Sequence, residues 1–178
     1  IFATGGASMV NAMKAAKATG FAEKIPMFIH TATELSTLAP LGLDAPEKII
    51  GTSNYHFYFP DTPKNKAFAK AFKDAYGREP KVGALYGYLA AQFITKALEK
   101  AGKMDREKFI DALSGLKVDS PVGEIEMRAL DHQAMLPMYM GVTKKVAEYP
   151  FLIAADIVTI PGKDVMPSIE EIKKARGQ

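Results

Sequence analysis

Apolar and polar positions follow two different periods along the first half of the chain. Short apolar runs predict strands ending at Thr4 and Ile29, because runs this short favour strands over helices. A third apolar run predicts a strand that begins at Ile49. Between the first two strands, apolar residues recur at helical spacing, which predicts a helix. Its apolar face comprises Met9, Ala12, Met13 and Ala16.

The second half begins with the strongest helical patterns and ends with alternating strands. Gly77 and Gly102 stand where the first two of these helices would stop, since glycine favours the left-handed conformation that ends helices. This order is typical of an α/β core with an added antiparallel edge. The predicted helices are 65–76, 83–101, one capped by Asp105, and 168–175; the predicted strands are 123–127, 136–142 and 151–160.

The aromatic run after Ile49 has the most distinctive pattern. Tyr55, Phe57 and Phe59 alternate with other residues at a period of two, which extends the predicted strand. Pro60 would end it, because proline has no N–H to donate to a sheet. Asp61-Thr62-Pro63 then resembles the start of a helix. Two interpretations fit: a crossover between two lobes with a ligand cleft at their junction, or an ordinary strand–loop–helix within one domain.

Composition and charge exclude several classes of function. The chain has 178 residues, no cysteine and a net charge of +3, and its basic residues are not clustered. We therefore expect no disulfide, no thiolate metal site and no nucleic-acid partner. No stretch approaches the length of apolar sequence that a transmembrane helix needs. The histidines lack metal-ligand spacing, so we predict no metal site and no cofactor.

Two places could carry chemistry. Gly5-Gly6 between a strand and a helix would aim free backbone N–H groups at an anion, or would simply make a short turn. Asp131-His132 would be half of a catalytic relay or a polar turn, and the turn is the simpler reading. No hydrolase, metalloprotease or phosphate-loop motif occurs. We therefore predict that the chain is not an enzyme.

Nearly the whole chain resembles the periplasmic solute-binding proteins of the Leu/Ile/Val type, the substrate receptors of certain ABC importers. The matching segments are diffuse but follow the family's order: ATGGASMVNAMKAAKATGF, FIHTATELSTLAPLGLDAPEKIIGTSNYHFYF, AFAKAFKDAYGREPKVGALYGYLAAQFITKALEKAG, FIDALSGL and DSPVGEIEMRALDHQAMLPMYMGV. The resemblance implies an α/β, two-lobed type I flytrap, of which this chain supplies most of lobe 2 and the C-terminal part of lobe 1. The implied divisions are lobe 2 at 1–54 and 124–178, lobe 1 at 63–117, and crossovers at 55–62 and 118–123.

The resemblance also implies a function. We expect the substrate-binding component of an ABC importer in the periplasm, which captures a small solute in an inter-lobe cleft by hinge closure. The expected partners are the solute, the permease subunits in the membrane, and the N-terminal half of the same protein, which would carry the signal peptide. The alternative is a ligand-sensing flytrap domain of a signalling receptor or regulator.

Site residues follow from the family's motif positions. Amino-acid binders of the family carry a tyrosine at the turn matching Gly5-Gly6, an acidic residue in the loop matching His30-Thr31, and an aromatic near Gly83-Ala84. Here these places hold smaller or uncharged residues, so an aromatic or hydrophobic carboxylate is favoured; a branched-chain amino acid stays possible because Glu34 is close. The predicted ligand-binding residues are Thr4, Gly5, Gly6, Ala7, His30, Thr31, Gly83, Ala84 and Leu85.

Overall fold

The computed structural model describes residues 1–103 and 105–177. The chain forms two compact units, and it passes from one to the other three times, after residues 56, 137 and 160. Unit 1 comprises residues 1–56 and 138–160, and unit 2 comprises residues 57–137 and 161–178. Each unit is therefore assembled from chain segments that are far apart in sequence.

Most of the predicted helices and strands are present, several strands are shorter, and further short elements lie between them. The predicted strand ending at Thr4 is reduced to an isolated bridge at Phe2. The helices are α1 (Gly6–Ala18), α2 (Phe21–Lys24), α3 (Leu35–Leu41), α4 (Pro63–Tyr76), α5 (Val82–Ala101), α6 (Arg106–Leu113), α7 (Gly162–Val165) and α8 (Ile169–Ala175), with a 3₁₀ turn at Gly42–Asp44. The strands are β1 (Phe28–Ile29), β2 (Ile50–Ser53), β3 (Lys117–Ser120), β4 (Gly123–Glu126), β5 (Met138–Lys144) and β6 (Ile153–Ile160).

Unit 1 is built on a four-stranded sheet in the order β1-β2-β5-β6. The pair β1 and β2 is parallel, whereas β5 is antiparallel to both β2 and β6. This is the α/β core with an antiparallel edge that the sequence predicts. Burial of apolar side chains from helices α1 and α3, strand β1 and the neighbouring loops stabilises the unit. The core residues are Met9, Met13, Ala16, Met27, Ile29, Ala32, Leu38, Leu41, Ala45, Ile49 and Leu152.

Thr143 of β5 joins the two chain segments of unit 1. Its hydroxyl donates to the carbonyl oxygen of Pro46 (2.7 Å) and accepts from the N–H of Ile49 (3.0 Å). The Thr143 N–H also donates to the Ile49 carbonyl oxygen at 2.9 Å. All three hydrogen bonds are buried or next to buried groups, where losing a partner is costly.

Unit 2 consists mainly of helices with the antiparallel hairpin β3–β4. Three of its helices begin at side-chain caps that the sequence indicates. Thr62 accepts from the Asn65 N–H, Asp105 accepts from the Lys108 N–H, and Ser168 forms a capping box with Glu171. Helix α5 buries one continuous apolar face, comprising Leu85, Leu89, Phe93 and Ala97.

The aromatic run differs from the prediction. Strand β2 ends at Ser53, and the alternating residues that follow lie outside it. Tyr55, His56 and Phe57 are all buried in succession, so no two-residue alternation of burial exists there. The aromatic content and spacing indicated a strand, but a strand also needs a partner along its length, which the sequence pattern does not reveal.

The two compact units are not bounded as the lobes are expected to be, and the expected lobes stay a prediction. One passage, between His56 and Phe57, lies within the expected crossover 55–62. The expected crossover at 118–123 instead belongs to the hairpin β3–β4, whose residues all lie in unit 2. Residues 124–137 and 161–178, which were expected to join lobe 2 with 1–54, also lie in unit 2. The antiparallel pairing of β3 with β4 holds 124–126 beside 117–120, which explains the difference.

Within the described ranges 1–103 and 105–177, no helix has both the length and the hydropathy needed to cross a membrane.

Candidate functional site

Two predicted site segments lie at one edge of the unit 1 sheet. Phe2 pairs with β1 in parallel: its N–H donates to the Phe28 carbonyl oxygen (2.8 Å), and its own carbonyl oxygen accepts from the His30 N–H (3.0 Å). The residues that follow Phe2 and those that follow β1 therefore leave the sheet on the same side, at the carboxyl ends of the strands. Ligands of α/β proteins bind at the carboxyl ends of parallel strands, which is where these segments lie.

The Gly5-Gly6 turn leaves the start of α1 open. No side chain caps this helix, and Gly6 has a φ of +59°, a conformation that favours glycine. A Cβ added at either glycine would meet no described atom within 4 Å. The first N–H groups of an α-helix have no partner within the helix, so they are available to an acceptor group. The turn therefore combines free space with hydrogen-bond donors.

The His30-Thr31 segment is held in a tight turn. Thr31 has a φ of +61°, which is uncommon for a β-branched residue. Its carbonyl oxygen accepts from the Glu34 N–H and from the Thr37 hydroxyl, both at 3.1 Å. Gly51 lies against this turn: a Cβ there would be 2.9 Å from the backbone nitrogen of Thr33. The close approach requires glycine, and the packed turn fixes where His30 and Thr31 lie.

His30 is exposed, and its ring contacts a buried residue that the sequence did not single out. Nδ1 of His30 lies 3.1 Å from the Oγ1 of Thr52, which is 7% exposed. Ile29 pairs with Gly51, so His30 and Thr52 are the next residues of two parallel chains and share a face. This register could have been inferred only after β1 and β2 were known to be neighbours.

Glu34 places an acidic group beside the same segment. It is half-buried, and burial raises the pKa of its carboxyl, while a hydrogen bond from the Ser36 hydroxyl (3.0 Å) and the charge of His30 oppose the increase. The edge of the sheet thus carries backbone donors, an imidazole and a carboxylate. Such a set can bind a small polar or charged group of a solute.

The remaining predicted residues, Gly83, Ala84 and Leu85, lie in the first turn of α5 in unit 2. Gly83 is exposed, and a Cβ there would meet no described atom within 4 Å. Leu85 is fully buried and belongs to the apolar face of the helix. The Leu85 side chain therefore packs within the protein, and a ligand-binding role for Gly83, Ala84 and Leu85 stays a prediction.

The histidine considered as part of a catalytic relay lies in a turn. His132 has a φ of +54°, and its Nε2 is 2.8 Å from the Ser114 hydroxyl. The Asp131 carboxylate instead binds the Arg128 guanidinium, with Nε to Oδ1 at 2.9 Å. This ion pair holds the pKa of Asp131 below its ordinary value. Asp131 therefore stabilises the turn through Arg128 and does not orient the imidazole.

Metal binding and other cavities do not alter this picture. Among residues 1–103 and 105–177, no group of three acidic or histidine side chains could hold a metal ion. One cavity of about 550 Å³ in unit 1 is lined by residues such as Lys17, Glu47 and Lys145. Another, of about 480 Å³, lies in unit 2 and is almost entirely apolar. Neither is lined by a predicted ligand-binding residue.

Comparison with known families decides the class of protein. Residues 1–147 match the family described as periplasmic binding protein. The chain belongs to this family. This confirms the predicted family, and because the family is non-enzymatic it also confirms the prediction that the chain is not an enzyme.

Similar proteins are named for, or were solved with, different solutes. The leucine-, isoleucine-, valine-, threonine- and alanine-binding protein of Pseudomonas aeruginosa is 35% identical over 91 residues, which are 51% of this chain and 24% of that protein. The amino acid ABC transporter substrate-binding protein from Pseudomonas fluorescens is 24% identical with a TM-score of 0.79, and the match covers 93% of this chain and 44% of that one.

A solute-binding protein from Rhodopseudomonas palustris, solved with 3,4-dihydroxybenzoic acid, has a TM-score of 0.70 and 23% identity, covering 88% of this chain and 43% of that one. At these identities the structural matches establish the fold alone. The chain spans less than half the length of either of these two solved proteins.

Proposed function

We propose that this chain is the C-terminal part of the substrate-binding component of an ABC importer. The whole protein would lie in the periplasm, capture a small solute in an inter-lobe cleft by hinge closure, and deliver it to membrane permease subunits. Family membership supports this function. The division of the chain into two compact units, joined after residues 56, 137 and 160, is compatible with a two-lobed protein.

The observation that carries the proposal is the open turn at Gly5-Gly6. Free space and unpaired N–H donors occur together there, next to the exposed imidazole of His30. A side chain at Gly5 would occupy the space without backbone strain, since its φ of −145° suits any residue. The backbone conformation therefore does not require glycine at position 5. We take the free space there as room for a ligand.

An aromatic or hydrophobic carboxylate is the solute class that these donors favour. A carboxylate accepts hydrogen bonds from backbone N–H groups at the start of a helix, where the helix dipole also attracts an anion. Similar proteins include one solved with 3,4-dihydroxybenzoic acid and another named for leucine, isoleucine, valine, threonine and alanine. Glu34 keeps an amino acid as the second candidate, because a carboxylate would offset the burial of an ammonium group.

The rest of the first lobe would come from chain that precedes this piece. Unit 2 has an apolar cavity bordered by Tyr86 and Ile94, which are 42% and 50% exposed. Exposed apolar surface of this kind usually marks a contact. Because this chain covers only 44% of a solved relative, we infer that the N-terminal half of the same protein covers the cavity.

Calorimetric titration of the full-length protein tests the proposal directly. We expect 4-hydroxybenzoate or a related aromatic carboxylate to bind more tightly than L-leucine. Tighter binding of leucine would overturn the assignment of the solute class but retain the function. Failure of both aromatic acids and branched-chain amino acids to bind would contradict the ligand assignment altogether.

A matched pair of variants locates the site. Thr31→Trp adds a large side chain beside His30 and should abolish detectable binding, because the indole occupies the space proposed for the solute. Thr19→Trp is the control, since Thr19 is an exposed residue at the opposite end of α1. Affinity close to that of the wild type in Thr31→Trp would place the ligand elsewhere.

A further inference from the structure

The hydrogen bond between His30 and Thr52 has a direction that the surrounding groups determine. We propose that Thr52 is a positioning residue. Its hydroxyl donates to Nδ1 of His30, so that Nε2 carries the proton and presents an N–H to a carboxylate oxygen of the solute. The inference rests on the proposed function, which it deepens by assigning the donor that selects the ligand.

The two partners of this hydrogen bond, Thr52 and His30, differ in their exposure to solvent. Thr52 lies in β2 and is 7% exposed, whereas His30 follows β1 and is exposed. The packing of Gly51 against the turn fixes the backbone of both residues, because a Cβ at Gly51 would be 3.1 Å from the Ile29 carbonyl oxygen. One ring nitrogen is thus bound on the protein side, and the other is left for a ligand.

The donor can be assigned from hydrogen-bond satisfaction. If Nδ1 carried the proton, the Thr52 hydroxyl would accept it and would need a second acceptor for its own hydrogen. Among the residues that the structure describes, Thr52 Oγ1 has no hydrogen-bond partner other than His30. Donation from the hydroxyl to Nδ1 satisfies this hydrogen, and the neutral ring then has its proton on Nε2.

An Nε2–H group favours an acceptor on the ligand. It selects a carboxylate oxygen and disfavours an ammonium group, which has only donors. The first N–H groups of α1 emerge at the same sheet edge, since Phe2 pairs with Ile29 in parallel. The backbone N–H groups of α1 and the His30 ring thus both lie at the strand ends. Thr52 determines which nitrogen of the ring carries the proton.

The tautomer of His30 can be measured without ligand. Long-range ¹H–¹⁵N spectra of the full-length protein, recorded at about pH 8, should show the proton of the neutral ring on Nε2. Thr52→Ser keeps the hydroxyl and should keep this tautomer. Thr52→Val has a similar shape without the hydroxyl and should produce a mixture of tautomers. A proton on Nδ1 in the wild type, or an unchanged spectrum in Thr52→Val, would overturn the proposal.

Titration with 4-hydroxybenzoate completes the test. Thr52→Val should bind about three- to tenfold more weakly, as expected for loss of one neutral hydrogen bond, and Thr52→Ser should stay within about twofold of the wild type. Equal losses in both variants would indicate a structural role and contradict the inference. If the wild type bound no carboxylate, the proposed solute class would fail even with the expected tautomer, so the two failures can be distinguished.

Discussion

The two units carry their predicted binding residues in different kinds of backbone. In unit 1 the residues Thr4–Ala7 and His30-Thr31 follow strand ends at one edge of a sheet, where N–H groups and side chains leave the packed core. In unit 2 the residues Gly83–Leu85 form the first turn of a long amphipathic helix, whose buried face includes Leu85. The predicted residues of unit 1 thus lie where the backbone leaves the core, whereas those of unit 2 lie on a helix and differ in burial from one residue to the next.

Truncating Leu85 should have the largest effect in this comparison. Leu85→Ala removes a fully buried side chain and should lower the free energy of unfolding by about 2–5 kcal/mol in urea denaturation of the full-length protein. Leu43→Ala in unit 1 is the control, because Leu43 is 44% exposed and should change stability by less than about 0.5 kcal/mol. Similar losses in the two variants would mean that Leu85 is not a core residue.

Acid should reveal a buried histidine in unit 1. His56 is 3% exposed, and burial lowers the pKa of its imidazole from 6.5 to about 4. The unfolded chain therefore binds a proton that the folded chain does not between these values, and stability decreases as the pH falls through 6.5. Over the window from pH 7 to pH 4, this group should cost about 3 kcal/mol of unfolding free energy.

The variant His56→Gln separates this contribution from those of other titrating groups. Its unfolding free energy should fall less than that of the wild type over the same window, as measured by urea denaturation at several pH values. An unaltered pH dependence in His56→Gln would mean that His56 is accessible to protons in the folded protein.

Two glycine substitutions give the smallest expected effects and should have opposite signs. Gly51→Ala forces a Cβ to within 2.9 Å of Ala32 and Thr33 in unit 1 and should destabilise the protein by about 1–3 kcal/mol. Gly83→Ala adds a Cβ in open space on a helix of unit 2 and should stabilise it by about 0.5–1 kcal/mol. Thermal unfolding of both variants measures the difference, and a neutral Gly51→Ala would show that the His30 turn is not held by close packing.

Helix ends were predictable from sequence because they depend on local chemistry. Thr62, Asp105 and Ser168 cap the helices that follow them, and Gly77 and Gly102 adopt the left-handed conformation that ends α4 and α5. Each of these features needs only a few neighbouring residues, so the sequence contains the whole signal.

Strand pairing was less predictable because it depends on distant residues. The run from Tyr55 to Phe59 has strand-like composition but lies outside β2. The short strand β3 contains the charged residues Lys117 and Asp119 and overlaps the segment expected to be a crossover, 118–123. In β3 the burial alternates as a strand should, with Val118 and Ser120 buried. Only the pairing with β4 distinguishes this segment from a loop.

The candidate site combines both kinds of information. The sequence identified Gly5-Gly6 and His30 because each stands at the end of an apolar run. It did not identify Thr52 or the bracing role of Gly51, since both depend on β1 and β2 being neighbours. Glu34 was noted as a nearby acid, and the structure adds the burial that raises its pKa.

The joining of β2 to β5 has a consequence for how the protein is made. A ribosome completes residues 1–56 and then all of 57–137 before it supplies the two strands that finish the sheet. The Ile49 N–H has no Thr143 hydroxyl to donate to until residue 143 has been synthesised. The nascent first segment therefore carries an unpaired strand edge through more than eighty residues of translation, and this is the interval in which a chaperone would be of most use to it.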